Sequence, residues 1–552
     1  VIRAPFIGAK VKSFDASGAR GAKHVLKITR GVAVLADTYW QAKKAAENVK
    51  VEWDLSKVLK VDTEKLRGDY ARMAKSGGAI AAKNPIWKTS GQLGREFDKK
   101  ATEGAAKSQS GGKTLDQLYE LPYLPHATME PMNCTADVRP DGCEIWAPTQ
   151  GPAAAREIAS QITKLKHDQI KVTTTFLGGG FGRRIYQDYV AEAVEASQAV
   201  GAPVKIIWSR EDDFQNDFYR PMMTHYVRAA FDENGISHWL HNIAGQSILS
   251  YGANVFINSL LPNLTPTAAV EFFGVVAGGL FRAWNPDLPW PLNKVAAIDM
   301  SSVEGVAGPI GNGILENIPG KRYVPYKIDN FITEYAHKET GVPVGFWRSI
   351  GHSHSAFVVE TVVDEMAASV KVDPYKFRLS LLEKNDSKKH AAVLRLAAEK
   401  AGWGTALPNG VFRGIAQHQS FHSYCAQVVE ISMNGPAVKV RRVVVAIDCG
   451  FVLNPDIAVA QAESAVIFGL SAALKQAITF KDGAVQQSNF HDSDILRMFE
   501  APVIEVHFVQ YDSSVTPTGM GEICVPPTAP ALCNAIFAAT GKRLRRLPVN
   551  LT

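Results

Sequence analysis

The sequence predicts an α+β protein with two to four core-forming units. Its 552 residues exceed the size at which a single hydrophobic core stops growing. Short strand patterns alternate with helix patterns along the chain, and turn residues separate them. An apolar fraction of 46% and a charged fraction of 21% are ordinary for a globular protein, so a disordered or fibrous chain is not expected.

The first 115 residues are predicted to form a small mixed unit followed by a linker. The pattern predicts two strands that divide at Arg30 and Gly31, then a short helix and a third strand, in "HVLKITRGVAVLAD", "TYWQAKKAAENV" and "KVEWDL". The next stretches, "ARMAKSGGAIAAKN" and "KATEGAAKSQSGGKTLDQ", are rich in Gly, Ala, Ser and Lys. We interpret them as surface loop and linker, with a boundary near residue 115.

A strand–turn–helix–strand unit is predicted after this boundary. A hairpin with Asp141 and Gly142 as its turn and then a helix are indicated by "CTADVRPDGCEIWAPT" and "GPAAAREIASQITKL". The strand pattern "QIKVTTTFL" leads directly into "TFLGGGFGRR" (the glycine loop, residues 175–184), and a helix ending at Gly201 follows. We therefore expect the glycine loop to face a helix N-terminus with unpaired N–H groups.

The glycine loop fails the tests for the common phosphate cradles. A Walker A loop needs GxxxxGK[ST], and Arg183 takes the place of its second glycine. The dinucleotide fingerprint GxGxxG fails at the same residue, which argues against an ordinary nucleotide-binding oxidoreductase. Two interpretations stay open. The backbone around Phe181 approaches an anionic or oxo ligand, or the glycines allow close helix–strand packing.

Two charged residues, Glu522 and Arg348, are candidate site residues. Glu522 stands in the Gly-rich turn "PTGMGEICVPP", whose apolar residues would desolvate the carboxylate and raise its pKa, as a general base requires; a solvated loop glutamate is the alternative. Arg348, in "VGFWRSIGHSHSAF", precedes a helix pattern and suits an anion or a carbonyl oxygen. His352 and His354 lack partners at zinc-ligand spacing, and we interpret them as surface or supporting histidines in a loop.

The second half of the chain continues the mixture of helices and strands. Residues 265–345 are rich in Gly, Pro and Trp and are predicted to form long, ordered connecting loops. An amphipathic helix is predicted for "HSAFVVETVVDEMAASV". A second β-rich region follows in "CAQVVEISMNG" and "VKVRRVVVAID".

Charge, hydropathy and cysteine usage exclude several classes of protein. The net charge of +6 is small for this length, and we interpret the short basic run "KRLRR" (residues 542–546) as a solvated face, so nucleic acid is not an expected partner. No run of about 18 apolar residues is present, so the chain itself is not expected to span a membrane. The six cysteines lack CxxC, zinc and iron–sulfur spacings, and we expect buried free thiols.

Seven stretches carry a resemblance to a known family: "LPHATMEPMNCTADV", "IWAPTQGPAAAREIA", "TFLGGGFGRR", "IIWSREDDF", "GFWRSIGHSHSAFVVE", "IDCGFVLNPD" and "GMGEICVPPTAPALCNAIFAATGKRLRRLPV". In this order they resemble the large subunit of the molybdenum hydroxylases, and within it the branch of isoquinoline oxidoreductase and membrane-bound aldehyde dehydrogenase. The resemblance implies a partial α/β hammerhead-like domain with a linker over residues 1–115. Two lobes of a molybdopterin-binding domain would follow over residues 116–330 and 331–552.

The resemblance also implies the cofactor and the residues of its site. The cofactor is molybdopterin cytosine dinucleotide carrying molybdenum with oxo, sulfido and hydroxide ligands, and the metal is held through the pterin dithiolene rather than by side chains. Glu522 matches the family's general base. The positions that match cofactor-contacting loops are Gly179, Gly180, Phe181, Gly182, Arg348 and Gly521. A bulky residue at Gly182 is expected to block the backbone approach and to give folded protein that is low in molybdenum.

The chain departs from the family pattern at several points. Xanthine-type enzymes carry a glutamate where this chain has Ile185 and a substrate-stacking phenylalanine where it has Ile350, which argues against a purine substrate. Members of the similar branch usually have glycine at Cys524. The family's GQG and GGS-type loops precede the equivalent of Val1, so we expect a separate chain to supply that segment and to complete the cofactor site.

The resemblance implies a catalytic subunit that oxidises an aldehyde or an N-heteroaromatic carbon with water as the oxygen source. Because the chain has no iron–sulfur cysteine pattern, electrons are expected to pass to a small partner subunit with two [2Fe–2S] clusters, and a cytochrome c subunit is a candidate further acceptor. The alternative is a scaffold subunit that keeps the fold without the cofactor. We expect a periplasmic location, or one on the periplasmic face of the inner membrane through a partner, with the cytoplasm as the alternative.

Overall fold

Strands and helices are mixed along the whole computed structural model, which describes residues 1–83, 112–248 and 325–551. Within these residues the strands form three larger sheets, of four, five and four strands, and three two-stranded ribbons. The mixed architecture with several sheets agrees with the predicted α+β class.

The strands that form these sheets are β1 (Lys10–Asp15), β2 (His24–Ile28), β3 (Gly31–Leu35), β4 (Lys50–Asp54), β5 (Ala79–Lys83), β6 (Lys113–Leu121), β7 (Asn133–Arg139), β8 (Gly142–Ala147), β9 (Ile170–Thr174), β10 (Val204–Ile207), β11 (Met223–Asp232), β12 (Gly235–Gly245), β13 (Ile328–His337), β14 (Val411–Ser420), β15 (Ser423–Asn434), β16 (Ala437–Asp448), β17 (Phe480–Lys481), β18 (Ala484–Val485) and β19 (Val503–Phe508). The α-helices are α1 (Tyr39–Ala46), α2 (Thr63–Ser76), α3 (Pro152–Thr163), α4 (Asp188–Val200), α5 (Arg210–Gln215), α6 (His352–Ser369), α7 (Pro374–Lys384), α8 (Lys388–Lys400), α9 (Pro455–Leu474) and α10 (Thr528–Thr540).

The sheet with the order β10-β7-β8-β9 carries the glycine loop. Its strands β7 and β8 form the predicted antiparallel hairpin, whereas β8 and β9 run parallel. Ala147 pairs with Thr174 near the carboxyl ends of β8 and β9. Because parallel strands end at the same edge of a sheet, the chain after β8 and the glycine loop after β9 are placed side by side. Helices α3 and α4 cover this sheet and share its apolar core.

The five-stranded sheet has the order β5-β13-β12-β11-β6, with β12 and β13 parallel and the other neighbours antiparallel. Residues 115 and 330, at which the sequence suggested domain boundaries, lie within β6 and β13. The division into three domains stays a prediction.

The third large sheet, β14-β15-β16-β19, supports the second half of the site. Helix α10 packs on β14 and β15, and α8 packs on β15 and β16. One large apolar core connects this sheet with the five-stranded sheet and with α6. The loops that precede α6 and α10 are therefore held on a common rigid base.

Helix α6 was predicted to be amphipathic, and this prediction is wrong. Fifteen of its eighteen residues are buried, so the helix passes through the core instead of lying on its surface. Its polar residues are buried with partners. Arg378 Nε, for example, donates to Glu360 Oε2 over 2.8 Å. A polar residue in the sequence suggests an exposed face unless its buried partner is already known.

The interpretation of residues 71–83 as surface loop is also wrong. These residues continue α2 and form β5. Asp62 caps the start of α2 by accepting from Lys65 N–H, and Leu66, Tyr70 and Ala74 form its buried face. The many small residues of this stretch suggested a loop, although the buried residues Leu66, Tyr70 and Ala74 recur every four residues, as in a helix. Of the rest of the proposed linker, residues 84–111 lie outside the described residues, and residues 113–117 form the start of β6.

Two further expectations for the second half need correction. Of the connecting loops expected over residues 265–345, residues 265–324 lie outside the described residues, and the remainder contains the strand β13. The basic run at residues 542–546 is not a solvated face, because Arg543 Nη1 lies 2.7 Å from Asp364 Oδ2 and Arg545 pairs with Glu365, both on α6.

One helix of the described residues, α9, is long and apolar enough to cross a membrane. It has 20 residues and a mean hydropathy of 1.6, and half of it is buried inside the protein. Core helices of soluble proteins meet the same criteria, so this observation is weak evidence for a membrane span.

Candidate active site

A cavity of about 750 Å³ brings three loops together. They are the glycine loop, the arginine loop (residues 346–350) before α6, and the glutamate turn (residues 519–523) before α10. All seven residues that the sequence suggested for the site line the cavity: Gly179, Gly180, Phe181, Gly182, Arg348, Gly521 and Glu522. Its wall also includes Gln150, Leu177, Ile185, Phe346, Trp347, Ile350, Gln461 and Ser464.

A larger groove of about 1130 Å³ lies between the first sixty residues and α4. It is open to solvent, and its charged residues, which include Lys10 and Glu195, belong to the protein surface. None of the seven candidate residues lines it. We therefore place the site in the smaller cavity.

The backbone of the glycine loop is left-handed at its centre. Phe181 has φ 55° and Gly182 has φ 106°. A Cβ atom added at Gly182 would lie 1.6 Å from the carbonyl oxygen of Phe346, so glycine is required by the contact with the arginine loop. A bulky residue here would push two loops apart. The expectation that such a variant stays folded and merely lacks molybdenum therefore does not agree with the structure.

The sequence suggested that the glycine loop joins directly to a helix N-terminus, but the structure shows no direct join. The loop ends in a 3₁₀ turn, Arg183–Ile185, and α4 begins only at Asp188. The buried Arg183 forms a bidentate pair with Asp188, with both N–O distances at 2.9 Å. Arg184 Nε donates to the carbonyl oxygen of Gly179 over 2.7 Å. Two buried arginines therefore hold the loop in place. The planar guanidinium group of each one donates to a specific acceptor, which is the Asp188 carboxylate for Arg183 and the Gly179 carbonyl oxygen for Arg184.

Three aromatic rings connect the walls of the cavity. Phe181 stacks on Phe468 of α9, with ring centroids 4.6 Å apart, and Phe468 stacks on Trp347, also at 4.6 Å. The guanidinium carbon of Arg348 lies 5.8 Å from the Phe181 ring. The stack joins the glycine loop, α9 and the arginine loop, and it supports the strained backbone of Phe181.

Arg348 uses its guanidinium group to hold other parts of the cavity wall. Nε donates to the carbonyl oxygen of Gly521 over 2.6 Å, and Nη1 donates to Ser464 Oγ over 3.0 Å. Nη2 donates to the carbonyl and side-chain oxygens of Gln461 over 3.2 and 3.1 Å. Burial lowers its pKa. No carboxylate among the described residues forms a salt bridge with Arg348, so its positive charge is available to an anion in the cavity.

Glu522 is half-buried and is held by one residue of the arginine loop. The backbone N–H of Ser349 donates to Glu522 Oε1 over 2.8 Å, and the hydroxyl of Ser349 donates to the carbonyl oxygen of Glu522 over 2.7 Å. Burial raises the pKa of Glu522, while the Ser349 N–H bond and the charge of Arg348 act in the opposite direction. Burial has the largest effect, in agreement with the desolvation expected from its apolar neighbours.

The cavity wall contains donors that suit an anionic or oxo ligand. Within the described part of the chain, no protein group accepts a hydrogen bond from the backbone N–H of Gly180, Phe181 or Gly521. The Gly182 N–H donates to Gln150 Oε1 over 3.1 Å. A Cβ atom at Gly521 would meet no atom within 4 Å, so this glycine borders open space. Unpaired amides next to an unneutralised arginine fit a molybdopterin, which is anionic and carries oxo ligands.

The structure changes the interpretation of the two histidines. His352 and His354 lie in the first turn of α6 and are buried, and neither is a surface residue. His352 Nδ1 lies 2.8 Å from His418 Nε2, and His354 Nδ1 lies 3.0 Å from His225 Nε2. Burial lowers the pKa of both histidines, which favours their neutral forms. All four histidines are buried, so these pairs are part of the core. The described residues contain no group of three or more side chains that could hold a metal ion.

Five residues of the site were not identified from the sequence: Gln150, Ser349, Gln461, Ser464 and Phe468. Gln150 could have been found, because it follows a strand whose parallel neighbour leads into the glycine loop. The three residues of α9 had no local signal. They reach the cavity only because α9 packs across both loops.

Two family models, both described as molybdopterin cofactor-binding domains, match the chain. One matches residues 94–256 and 294–382, and the other matches residues 368–502. Together they cover more than half of the chain and contain the glycine loop and the arginine loop.

Curated relatives agree with these models. The chain is 29% identical over 560 residues to the beta subunit of isoquinoline 1-oxidoreductase from Brevundimonas diminuta, with 99% of this chain and 63% of that protein covered. It is 27% identical over 575 residues to a membrane-bound aldehyde dehydrogenase of Gluconacetobacter polyoxogenes, whose name specifies pyrroloquinoline quinone, with coverages of 98% and 66%. The chain belongs to the molybdenum hydroxylase family.

This molybdenum hydroxylase chain spans less than two thirds of the length of either relative. Its fold is similar to that of quinoline 2-oxidoreductase from Pseudomonas putida 86, with a TM-score of 0.70 and 13% identity over 99% of this chain and 92% of that one. The likeness confirms the mixed α/β fold. The hammerhead-like domain and the two lobes stay predictions for this molybdenum hydroxylase.

Proposed function

We propose that the chain is the molybdenum-binding catalytic subunit of an enzyme that oxidises an aldehyde or an N-heteroaromatic carbon with water as the oxygen source. One observation carries this proposal. A half-buried carboxylate with a raised pKa, an unneutralised arginine and unpaired backbone amides line the same cavity. Family membership and the names of the relatives support the substrate classes.

The cofactor would be held by the cavity wall rather than by metal-ligating side chains. The backbone N–H groups of Gly180, Phe181 and Gly521 would donate to it, and the charge of Arg348 would attract it. When bound, this group supplies the two-electron oxidation of the substrate carbon. Its cytosine dinucleotide form is proposed from the family resemblance, as are the roles of Gly179 and Gly182 in contacting it.

Glu522 is proposed as the general base. Its Oε1 accepts from Ser349, whereas Oε2 accepts no hydrogen bond from the described residues and is available for a proton. A raised pKa brings a glutamate closer to the pH at which it can both accept and release a proton. The apolar residues Leu177, Ile185 and Ile350 of the cavity would exclude water and contact an uncharged substrate.

Cofactor analysis of the purified native complex tests this function. We expect about one molybdenum and one pterin per chain, because one cavity holds all the candidate residues. We also expect oxidation of an aldehyde or an N-heteroaromatic compound with an artificial dye as electron acceptor. A complex that contains pyrroloquinoline quinone in place of the pterin would contradict the proposal. A complex free of any cofactor would support the scaffold alternative.

The chain is proposed to act in a hetero-oligomer. The relative from Brevundimonas diminuta is itself named as a subunit, and the six cysteines of this chain are buried, free and without an iron–sulfur spacing. We propose a small subunit with two [2Fe–2S] clusters as the first electron acceptor and a cytochrome c subunit as a further one. The proposed location is the periplasm or the periplasmic face of the inner membrane.

Native mass spectrometry of the complex, with iron and haem analysis, tests these partners. We expect a small iron-containing subunit at a defined ratio to this chain. The same spectrum tests the prediction that a separate polypeptide completes the cofactor site. If this chain, loaded with cofactor and free of other subunits, reduced its physiological acceptor at the full rate, the proposed partners would be wrong.

A further inference from the structure

The arginine loop contains two consecutive residues in the left-handed region that are not glycine. Ser349 has φ 77° and Ile350 has φ 46°. Ser349 is fully buried. Such conformations are strained for a residue with a side chain and persist only where surrounding contacts impose them. The contacts of Ser349 therefore indicate what this conformation achieves.

Both hydrogen-bond donors of Ser349, its backbone N–H and its hydroxyl, donate to Glu522. Its backbone N–H reaches the carboxylate at Oε1 over 2.8 Å, and its hydroxyl reaches the main-chain carbonyl oxygen over 2.7 Å. Ser349 thus holds both the side chain and the main chain of Glu522. The neighbouring Arg348 holds the preceding carbonyl oxygen, that of Gly521, over 2.6 Å. The arginine loop therefore fixes both the position and the rotation of the glutamate turn.

We propose that Ser349 is a positioning residue that orients the Glu522 carboxylate and keeps its Oε2 free to accept a proton. This inference rests on the proposed role of Glu522 as a base. Among the described residues, Arg348 is the charged group that acts on Glu522, and the buried Cys524 is a titratable residue two positions further along the chain. The Ser349 N–H therefore supplies a local donor for the ionised carboxylate that Arg348 does not replace.

The geometry explains why a left-handed serine is needed. A donated N–H stabilises the ionised carboxylate and offsets part of the effect of burial on its pKa. The hydroxyl bond holds the main chain of the glutamate turn, so one carboxylate oxygen stays within reach of the N–H while the other faces away from it. Glycine could adopt the same backbone conformation, but it has no hydroxyl group.

Two substitutions of Ser349 and one matched control test the proposal. Ser349→Ala removes the hydroxyl, and Ser349→Gly removes it while relieving the left-handed strain. The control is Ser353→Ala, because the Ser353 hydroxyl also donates to a carbonyl oxygen of the arginine loop, that of Ile350, over 2.7 Å. The control hydroxyl does not contact Glu522.

Turnover and its pH dependence are measured in holoenzyme with equal molybdenum content. We expect both Ser349 variants to lower kcat about tenfold, with KM changed less than about twofold, because the base is misplaced while the cavity wall persists. The acid limb of the kcat/KM profile should move up by about one pH unit. Without the hydroxyl bond the glutamate turn can move away from the Ser349 N–H, and the weaker N–H bond to the carboxylate raises the Glu522 pKa further. Ser353→Ala should match the wild type in all three quantities.

An infrared titration of cofactor-free protein gives a second measurement that does not depend on activity. The carboxylate band of Glu522, isolated by subtraction of the Glu522→Gln spectrum, should titrate at a higher pH in Ser349→Ala than in the wild type. Wild-type behaviour of Ser349→Gly in both assays would overturn the positioning role. If Glu522→Gln itself kept full turnover, the proposed base would be wrong. If Glu522→Gln is inactive and the Ser349 variants are normal, only this inference fails.

Discussion

Replacing Glu522 by glutamine is expected to lower kcat by about a hundredfold or more, which is the effect of losing a general base. Glutamine has nearly the same shape, and its side-chain oxygen can still accept from the Ser349 N–H. The cavity wall and the molybdenum content should therefore stay as in the wild type. The variant loses only the ability to accept a proton.

The pH dependence gives this prediction a defined sign. Burial raises the pKa of Glu522, and the base acts in its ionised form. Activity of the wild type should therefore fall as the pH is lowered through this raised pKa, at a higher pH than for an exposed glutamate. The small residual activity of Glu522→Gln should lack that acid limb.

Glu365→Gln is a suitable control for this experiment. Burial also raises the pKa of Glu365, but its carboxylate pairs with Arg545 and does not line the cavity. This variant should turn over substrate at nearly the wild-type rate once folded. A Glu522→Gln enzyme with full molybdenum and near wild-type kcat would show that another group is the base.

Gly182→Ala is expected to lower the free energy of unfolding by about 3 kcal/mol or more, through overpacking and left-handed strain together. The added Cβ atom would lie 1.6 Å from the Phe346 carbonyl oxygen, and φ at this position is 106°. Backbone atoms rather than a flexible side chain must move to admit it. The glycine loop and the arginine loop would then separate.

Gly521→Ala provides the matched comparison, because a Cβ atom there would meet no atom within 4 Å. Its free energy of unfolding should stay within about 0.5 kcal/mol of the wild type, as for most substitutions that make no new contact. Denaturant unfolding of the two variants measures the difference. Equal stability of Gly182→Ala and Gly521→Ala would contradict the close approach of the two loops.

Elements with a local signal could be predicted from the sequence. The hairpin of β7 and β8 follows from alternation and its Asp141-Gly142 turn, and α4 ends at Gly201, which adopts the left-handed conformation of a helix cap. Glu522, Arg348 and the glycine loop were candidates from their local sequence, and the resemblance added the individual glycines, including Gly521. The structure places all seven residues around one cavity. Their proposed chemical roles stay predictions.

Elements that depend on distant partners could not be predicted. The polar residues of α6 suggested an exposed face because the sequence does not show that Arg378 neutralises Glu360 inside the core. The contact of Phe468 with Phe181 depends on how α9 crosses the site. Hydrophobic patterns fix which face of an element is buried, but not which element it meets.

Helix α9 connects the cavity to a distant part of the surface. Gln461, Ser464 and Phe468 lie on one face of it, and each contacts either Arg348 or the aromatic rings. At 1.5 Å per residue, the C-terminal end of α9 is about 20 Å along the helix from Gln461. There Lys475 is tied to Asp494 and Glu500. Because α9 contacts both the glycine loop and the arginine loop, a protein that bound at that end and tilted the helix would displace the two loops together. The shape of the cavity would then change although nothing had bound inside it.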